Sequence, residues 1–456
     1  MGERLHGASF YLVRWTKMTA RLIDYRKARY QAGSLPEAGI GGCGIAPPHA
    51  HPSCKWAGIL SVFCLSLSAC EEAAQAPAAK SVQPARPVPQ FVTQVPCPGS
   101  PMDLLADDLN GDGRPDLAAT LHAGNFSQIF LQTEPRLYSP GPRLNEVGFH
   151  PGDWLRWPGA GPLYIAAAEG SGKLLNFRVT GAGGLDIISQ VSSQMPRNLE
   201  YFNWPGWGDS LVITPFELGM LELFKGYDPV RGAAAQRLAV GLSEGAASIR
   251  RADRVTVADI DGDKVDELLF ASRSTGELFK LSHPPEGVKP KPEIIHELGE
   301  GSPHQILAFD INDDGANDLI VPNQTEPFQI RILLNQGNGD FRVAQTAWPF
   351  PVQQGLRYAD IKLDRDGRAY LAVVGYGALA LYQVPKPWNE AETAPVKFIK
   401  IKARGMSSDI ILRDMDGDQA LDLIVGYGSG EHGVVVIHGP LWQHMDELAA
   451  QGFTLD

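Results

Sequence analysis

The chain has 456 residues, 44% hydrophobic and 20% charged, with 49 glycines and 35 prolines. That is the composition of a folded protein built from turns and short strands rather than long helices. Its net charge of −12 is uneven: residues 1–70 hold eight Lys/Arg against three Asp/Glu, so the remainder carries −17. So acidic a body argues against nucleic acid as a partner and suits a cation binder.

Residues 1–54 lie too far upstream of the apolar run that follows to be an ordinary n-region, so an over-extended gene start is expected and these residues are expected to be unstructured. Then KWAGILSVFCLSLSAC, residues 55–70, sets an apolar run behind a lysine. The run is too short to span a bilayer and right for the apolar region of a signal peptide. Its end, LSAC, resembles the bacterial lipobox, which implies a signal peptide over 55–69 and lipidation of Cys70 as the first mature residue. Glu71 stands where an Asp would favour inner-membrane retention, so an outer-membrane location in the cell envelope is expected. Residues 70–89, rich in Pro and Ala, read as a flexible tether. Of the five cysteines only Cys97 would then remain free, which excludes a disulfide framework.

From residue 90 the chain repeats itself. Four segments align: DDLNGDGRPDLAAT from Asp107, ADIDGDKVDELLFA from Ala258, FDINDDGANDLIVP from Phe309 and RDMDGDQALDLIVG from Arg413. Each carries oxygen side chains at loop positions 1, 3, 5 and 9, followed by an apolar strand. The four sets are Asp108, Asn110, Asp112, Asp116; Asp259, Asp261, Asp263, Glu267; Asp310, Asn312, Asp314, Asp318; and Asp414, Asp416, Asp418, Asp422. First positions at 108, 259, 310 and 414 are spaced by multiples of about 51 residues, the signature of a repeat architecture. Degraded copies fill the gaps. YADIKLDRDGRAYLAVVGYG from Tyr358 keeps Asp364 and Asp366, while WPGAGPLYIAA from Trp157 and WPGWGDSLVIT from Trp204 replace the acidic loop by a Trp-Pro-Gly turn.

Seven units of four short strands predict an all-β fold: a seven-bladed β-propeller over residues 90–440, followed by a C-terminal tail, 441–456. The last unit runs out one strand short after GVVVIHGP, and QFVTQV (residues 90–95) is expected to supply that strand and close the ring.

Oxygen donors at alternate positions around a turn can wrap one hard cation, and a carboxylate at position 9 would close the shell; Ca²⁺ fits better than Mg²⁺. An EF-hand is excluded, because position 12 is Ala119, Phe270, Val321 or Val425 rather than a bidentate Glu. The DxDxDGxxDL element and the phrase LLNQGNGDF from Leu333 resemble the FG-GAP/VCBS repeats of integrin α-chain propellers and bacterial surface proteins. That resemblance implies calcium at about four sites, in the loops joining the first two strands of a blade, in a mainly structural role. Position 6 is Gly only at 113 and 315, being Lys264 and Gln419 elsewhere, so strained turns are expected there.

No HExxH, GxSxG, P-loop or dinucleotide fingerprint is present, and no catalytic residue is assigned. His304, six residues before Asp310, is singled out for the upper face, where Asp103, Arg250, Arg251, Arg357 and Asp409 could join it in a polar pocket. Trp154, Trp157, Trp204, Trp207 and Trp348 are candidates for stacking on a glycan or anchoring a protein partner, or for packing the metal-free blades. The sequence thus reads as a lipid-anchored binding or scaffold module, with a propeller enzyme acting at the channel mouth, such as a lyase, hydrolase or oxidoreductase, as the alternative.

Overall fold

The computed structural model describes residues 88–455 apart from 123, 160, 182, 217, 243–250, 300, 354, 402–408 and 429–431; the expected leader and Cys70 lie outside them. Seven antiparallel sheets follow one another along the chain: blade 1 (residues 101–145), blade 2 (151–192), blade 3 (196–241), blade 4 (252–297), blade 5 (307–349), blade 6 (356–401) and blade 7 (410–437). Each of the first six is a four-strand meander in chain order, with Trp348–Pro349 an extra strand on blade 5. Blade 7 has three strands of its own, and its fourth is Val92–Pro96, antiparallel to His432–Ile437 from Val92 opposite Ile437 to Pro96 opposite Gly433. The ring is closed where the sequence placed the seam.

The innermost strand of every blade packs on that of the next, and blade 7 on blade 1, so no blade is left at an edge. The second strands explain why. Leu163–Ala168, Asp318–Pro322 and Ala369–Gly375 are buried at every residue, because a neighbouring blade covers each face. The outer strands, such as Leu185–Ser192 and Ala233–Gly241, are half-buried to exposed along almost their whole length. Seven apolar clusters fill the seven seams between successive blades, one per seam. Burial of each large aliphatic side chain there contributes roughly 1.5–3 kcal/mol.

The segment read as a C-terminal tail forms the helix α1 (Leu441–Ala450) and a short strand, Thr454–Leu455, that pairs in parallel with Val396–Ile401 of blade 6. Leu441, Met445 and Leu448, at i, i+4 and i+7, enter the cluster between blades 6 and 7. Lys397 holds the helix, its Nζ donating to the Trp442 carbonyl at 2.8 Å and pairing with Asp446. Among the described residues no helix is long and apolar enough to cross a membrane.

Candidate functional site

Charged groups gather in two places: the loops between first and second strands, and the channel lined by the innermost strands. Each acidic loop is folded by its own side chains. In blade 1, Asp108 Oδ1 accepts from the N–H of Gly111 (2.8 Å) and Asp112 (3.0 Å), and Oδ2 from Gly113 (2.9 Å). Asn110 Oδ1 accepts from Asp112 N–H, and Asp112 Oδ1 from Arg114 N–H, both at 2.9 Å. The same scheme recurs around Asp259, Asp310 and Asp414. Loop positions 4 and 6 are left-handed in all four: Gly111 and Gly113, Gly262 and Lys264, Asp313 and Gly315, Gly417 and Gln419. Lys264 (φ 70°) and Gln419 (φ 67°) adopt the strained conformation without glycine's freedom.

This backbone turns the side chains at positions 1, 3 and 5 toward one point. Asp259, Asp261 and Asp263 offer oxygens within 4.8 Å of one another, as do Asp414, Asp416 and Asp418. Where position 3 is Asn, its amide reaches position 5: Asn110 Nδ2 to Asp112 Oδ2 at 3.2 Å, Asn312 Nδ2 to Asp314 Oδ2 at 2.8 Å. A carboxylate oxygen holding one N–H still has a lone pair for a cation, so the donor set at these positions fits Ca²⁺.

Position 9 has a different setting. Asp116, Asp318 and Asp422 are wholly buried and Glu267 nearly so. Each accepts the N–H of position 2: Leu109, Ile311, Met415 and Ile260. The three Asp residues also take an N–H from beyond the second strand, at Gln132, Asn335 and Gly439, each at 2.8 Å. Position 9 is therefore first a staple between loop and sheet. Burial raises Asp116 and Asp318 to about 6 and Glu267 to about 7.

Position 2 ties the loop to the following blade. Leu109, Ile260, Ile311 and Met415 are buried in the seam clusters. A carbonyl at position 1 or 2 is caught by that blade each time: Asp108 by Tyr164 Oη (3.1 Å), Ile260 by Asn335 Nδ2 (2.7 Å), Ile311 by Trp388 N (3.2 Å) and Met415 by Gln132 Nε2 (2.8 Å). What orders an acidic loop thus also orders a seam. In blade 6 the shortened loop carries its own cation: Arg368 Nε lies 2.8 Å from Asp364 Oδ2 and its Nη2 lies 2.5 Å from Asp366 Oδ2.

The channel holds a second concentration of carboxylates, neutralised from within. Arg254 is at its centre, with Nη2 2.9 Å from Asp103 Oδ1, Nη1 3.1 Å from Asp409 Oδ1, and its guanidinium 4.3 Å from the Tyr358 ring centroid. Burial would lower the guanidinium, but Asp409 and Asp103 outweigh it. Burial pushes Asp153 well above the usual carboxylate range and Glu200 up to about 7, with Arg254 only partly offsetting it. Beside this group, Asp253 meets His304 Nδ1 at 2.5 Å, Arg273 at 3.5 Å and Arg197 at 3.6 Å. Burial works to raise that carboxyl, but its three partners hold it well below the usual range. His304 Nε2 lies 2.7 Å from Gln324 Oε1, so both ring nitrogens are engaged.

The structure therefore brings Asp103, Asp409 and His304 into the channel network and stacks Arg357 over Tyr358 and Tyr376. Arg251 is exposed, and Arg250 lies outside the described residues. The central cation is Arg254, with Asp253 beside it, neither of which the sequence reading named. The tryptophans are turned inward: Trp204 and Trp348 have no exposure, Trp154 has 4%, Trp157 6% and Trp207 9%. Trp204 Nε1 donates to the Asp266 carbonyl of blade 4 at 2.7 Å, so it latches its seam as the acidic loops latch theirs. Trp207 borders a groove of about 490 Å³, with Lys225 4.9 Å from its ring centroid.

No family model matches the chain, and no curated protein matches its sequence. Solved structures do resemble it. BBS1N, crystallised in complex with ARL6DN and soaked with mercury, is 12% identical with a TM-score of 0.49, over 77% of this chain and 95% of that one. A protein from Lactobacillus plantarum is 16% identical with a TM-score of 0.41, over 55% of this chain and 72% of that one.

Proposed function

We propose that this protein is a calcium-braced propeller of the FG-GAP/VCBS type, held in the cell envelope by a lipid on Cys70, that acts as a binding or scaffold module for a protein or glycan partner. The observation that carries this reading is the set of four acidic loops with one backbone scheme, two of them with converging carboxylates and all four with an apolar plug set toward the next blade. Asp108, Asn110 and Asp112 would hold one ion, with Asp259, Asp261 and Asp263, Asp310, Asn312 and Asp314, and Asp414, Asp416 and Asp418 holding the others. Four Ca²⁺ would take the body from −17 to about −9 and relieve repulsion among carboxylates in the loops that secure four seams. The resident ion supplies charge neutralisation; the chain's own residues supply the position.

The channel favours a scaffold over an enzyme. Catalysis calls for a group held ready toward a cleft, whereas Arg254, Asp103, Asp409, Asp253 and His304 are spent on one another. The leader supports export: an apolar run, the LSAC phrase and Glu71 point to a lipid anchor in the outer membrane. Affinity capture from native envelopes, with Cys70→Ser as the release control, tests the whole reading. The expected result is a discrete protein or glycan partner retained in calcium and lost on chelation, with the variant recovered in the soluble fraction. Recovery that ignores calcium, or a Cys70→Ser protein that stays in the membrane, would sink it.

A further inference from the structure

Beside the acidic loop of blade 7, turned toward the ring closure, three donor atoms converge in buried space. His438 Nδ1 lies 3.2 Å from Asp422 Oδ2 and 3.4 Å from Asp416 Oδ2, and ligand atoms of all three residues lie within 4.8 Å of one another. His438 and Asp422 have no exposure. The other imidazole nitrogen is committed: Nε2 is 2.9 Å from Thr93 Oγ1, and that hydroxyl donates to the Arg136 carbonyl at 3.5 Å. With the hydroxyl proton so directed, Nε2–H donates to Thr93, which leaves Nδ1 as the ring nitrogen turned toward the two carboxylates. Nδ1 has no partner beyond those two carboxylates. Nδ1 and two carboxylate oxygens thus face each other in buried space, where Arg136 offsets the charge of Asp416 alone, an arrangement that suits a positive centre among them.

The spacing says which. Ligand atoms about 2.0–2.2 Å from a tetrahedral metal stand about 3.3–3.5 Å apart, close to the two separations here. Calcium, an all-oxygen ion with longer bonds, does not select imidazole. The ligands are also steadied from outside, Asp416 Oδ2 by Arg136 at 2.7 Å and Asp422 Oδ2 by the Met415 N–H at 2.8 Å, as metal ligands generally are.

We propose that His438, Asp416 and Asp422 form a seat for one borderline divalent metal of the zinc class, with a fourth position left to water. The seat shares Asp416 with the calcium set of blade 7 but does not rest on the calcium reading, because the donor that defines it is His438. Its place gives it a role. Thr93 belongs to the first strand of the ring and His438 follows the last, so a metal here clasps the seam where the ends of the propeller meet.

Cobalt(II) is the probe, added to chelator-treated full-length protein. The expected result is one equivalent bound with the intense visible bands of tetrahedral Co²⁺, displaced by Zn²⁺ and untouched by excess Ca²⁺. His438→Gln should weaken that binding at least about tenfold while leaving calcium uptake by the loops of blades 1, 4 and 5 unchanged. Only the weak bands of octahedral Co²⁺ in wild type, or tetrahedral bands that persist in a folded His438→Gln, would overturn the assignment. Should the variant not fold, the wild-type spectrum and its response to Zn²⁺ and Ca²⁺ decide between the two.

Discussion

The loop face and the channel of this propeller face the same electrostatic problem and meet it differently. Both crowd carboxylates closer than they would stand in water. In the channel the counter-charge is covalent: Arg254 is planted among Asp103, Asp409, Asp153 and Glu200, and Arg197, Arg273 and His304 surround Asp253. In the loops of blades 4 and 7 the carboxylates at positions 1, 3 and 5 converge on a point, the loops of blades 1 and 5 share their backbone scheme, and we assign the counter-charge of all four to a diffusible ion. Blade 6 stands between the two, with Arg368 drawn onto Asp364 and Asp366. A buried guanidinium makes a permanent hub, whereas an ion-filled loop lets the seams of the ring respond to the surroundings.

The sharpest way to break the comparison is to remove the covalent counter-charge. Arg254→Met strands several buried carboxylates and should cost about 3–5 kcal/mol, the usual penalty for unpairing a buried charge, read as a fall in Tm that added calcium does not reverse. Neutralising its partners as well, in Arg254→Met with Asp103→Asn and Asp409→Asn, should recover part of the loss. Next in size is Asp318→Ala, which leaves the N–H groups of Ile311 and Asn335 without their acceptor. At about 1–3 kcal/mol for each stranded buried donor, chemical denaturation should show a clear loss even in saturating calcium. If the loss vanished with calcium present, position 9 would be a ligand alone and not a staple.

Smaller effects sharpen the picture. Lys264→Gly relieves a left-handed residue and should stabilise by about 1 kcal/mol, measurable as a higher denaturation midpoint with unchanged slope. Glu200→Gln should appear as a pH trend. The folded-state value of about 7 lies above the unfolded value near 4.5, so the stability this carboxyl contributes is whole below about 4.5 and lost as pH rises through 7. The variant should therefore match wild type in Tm at pH 4 and exceed it at pH 8; equal curves at both would place Glu200 outside the network.

The parts of this arrangement that repeat were legible in the sequence. Four copies of the acidic phrase fixed the unit length, the vacant slots fixed the count of seven, and the missing outer strand pointed to Val92–Pro96. The channel was legible only in part. Asp103, His304 and Asp409 could be picked from equivalent places in the repeat, but which arginine reaches the axis depends on strand register, and Arg254 lies only three residues beyond Arg251. The Trp-Pro-Gly turns were ambiguous for a related reason: a ring beside a tight turn reads alike whether it points out to a partner or in to a seam, and burial decides. Helix α1 did leave a signal, Leu441, Met445 and Leu448 at helical spacing, hidden by its place after the last repeat.

The central claim is that diffusible calcium completes the loops, and a calorimetric titration of chelator-stripped protein with Ca²⁺, followed by melting of the same samples, tests it most directly. The account predicts about four equivalents bound and a rise in Tm on saturation, with stabilisation near 2.7 kcal/mol per site at one hundred times Kd, all reversed by EDTA. No heat of binding, together with a melting curve indifferent to both calcium and chelator, would contradict it.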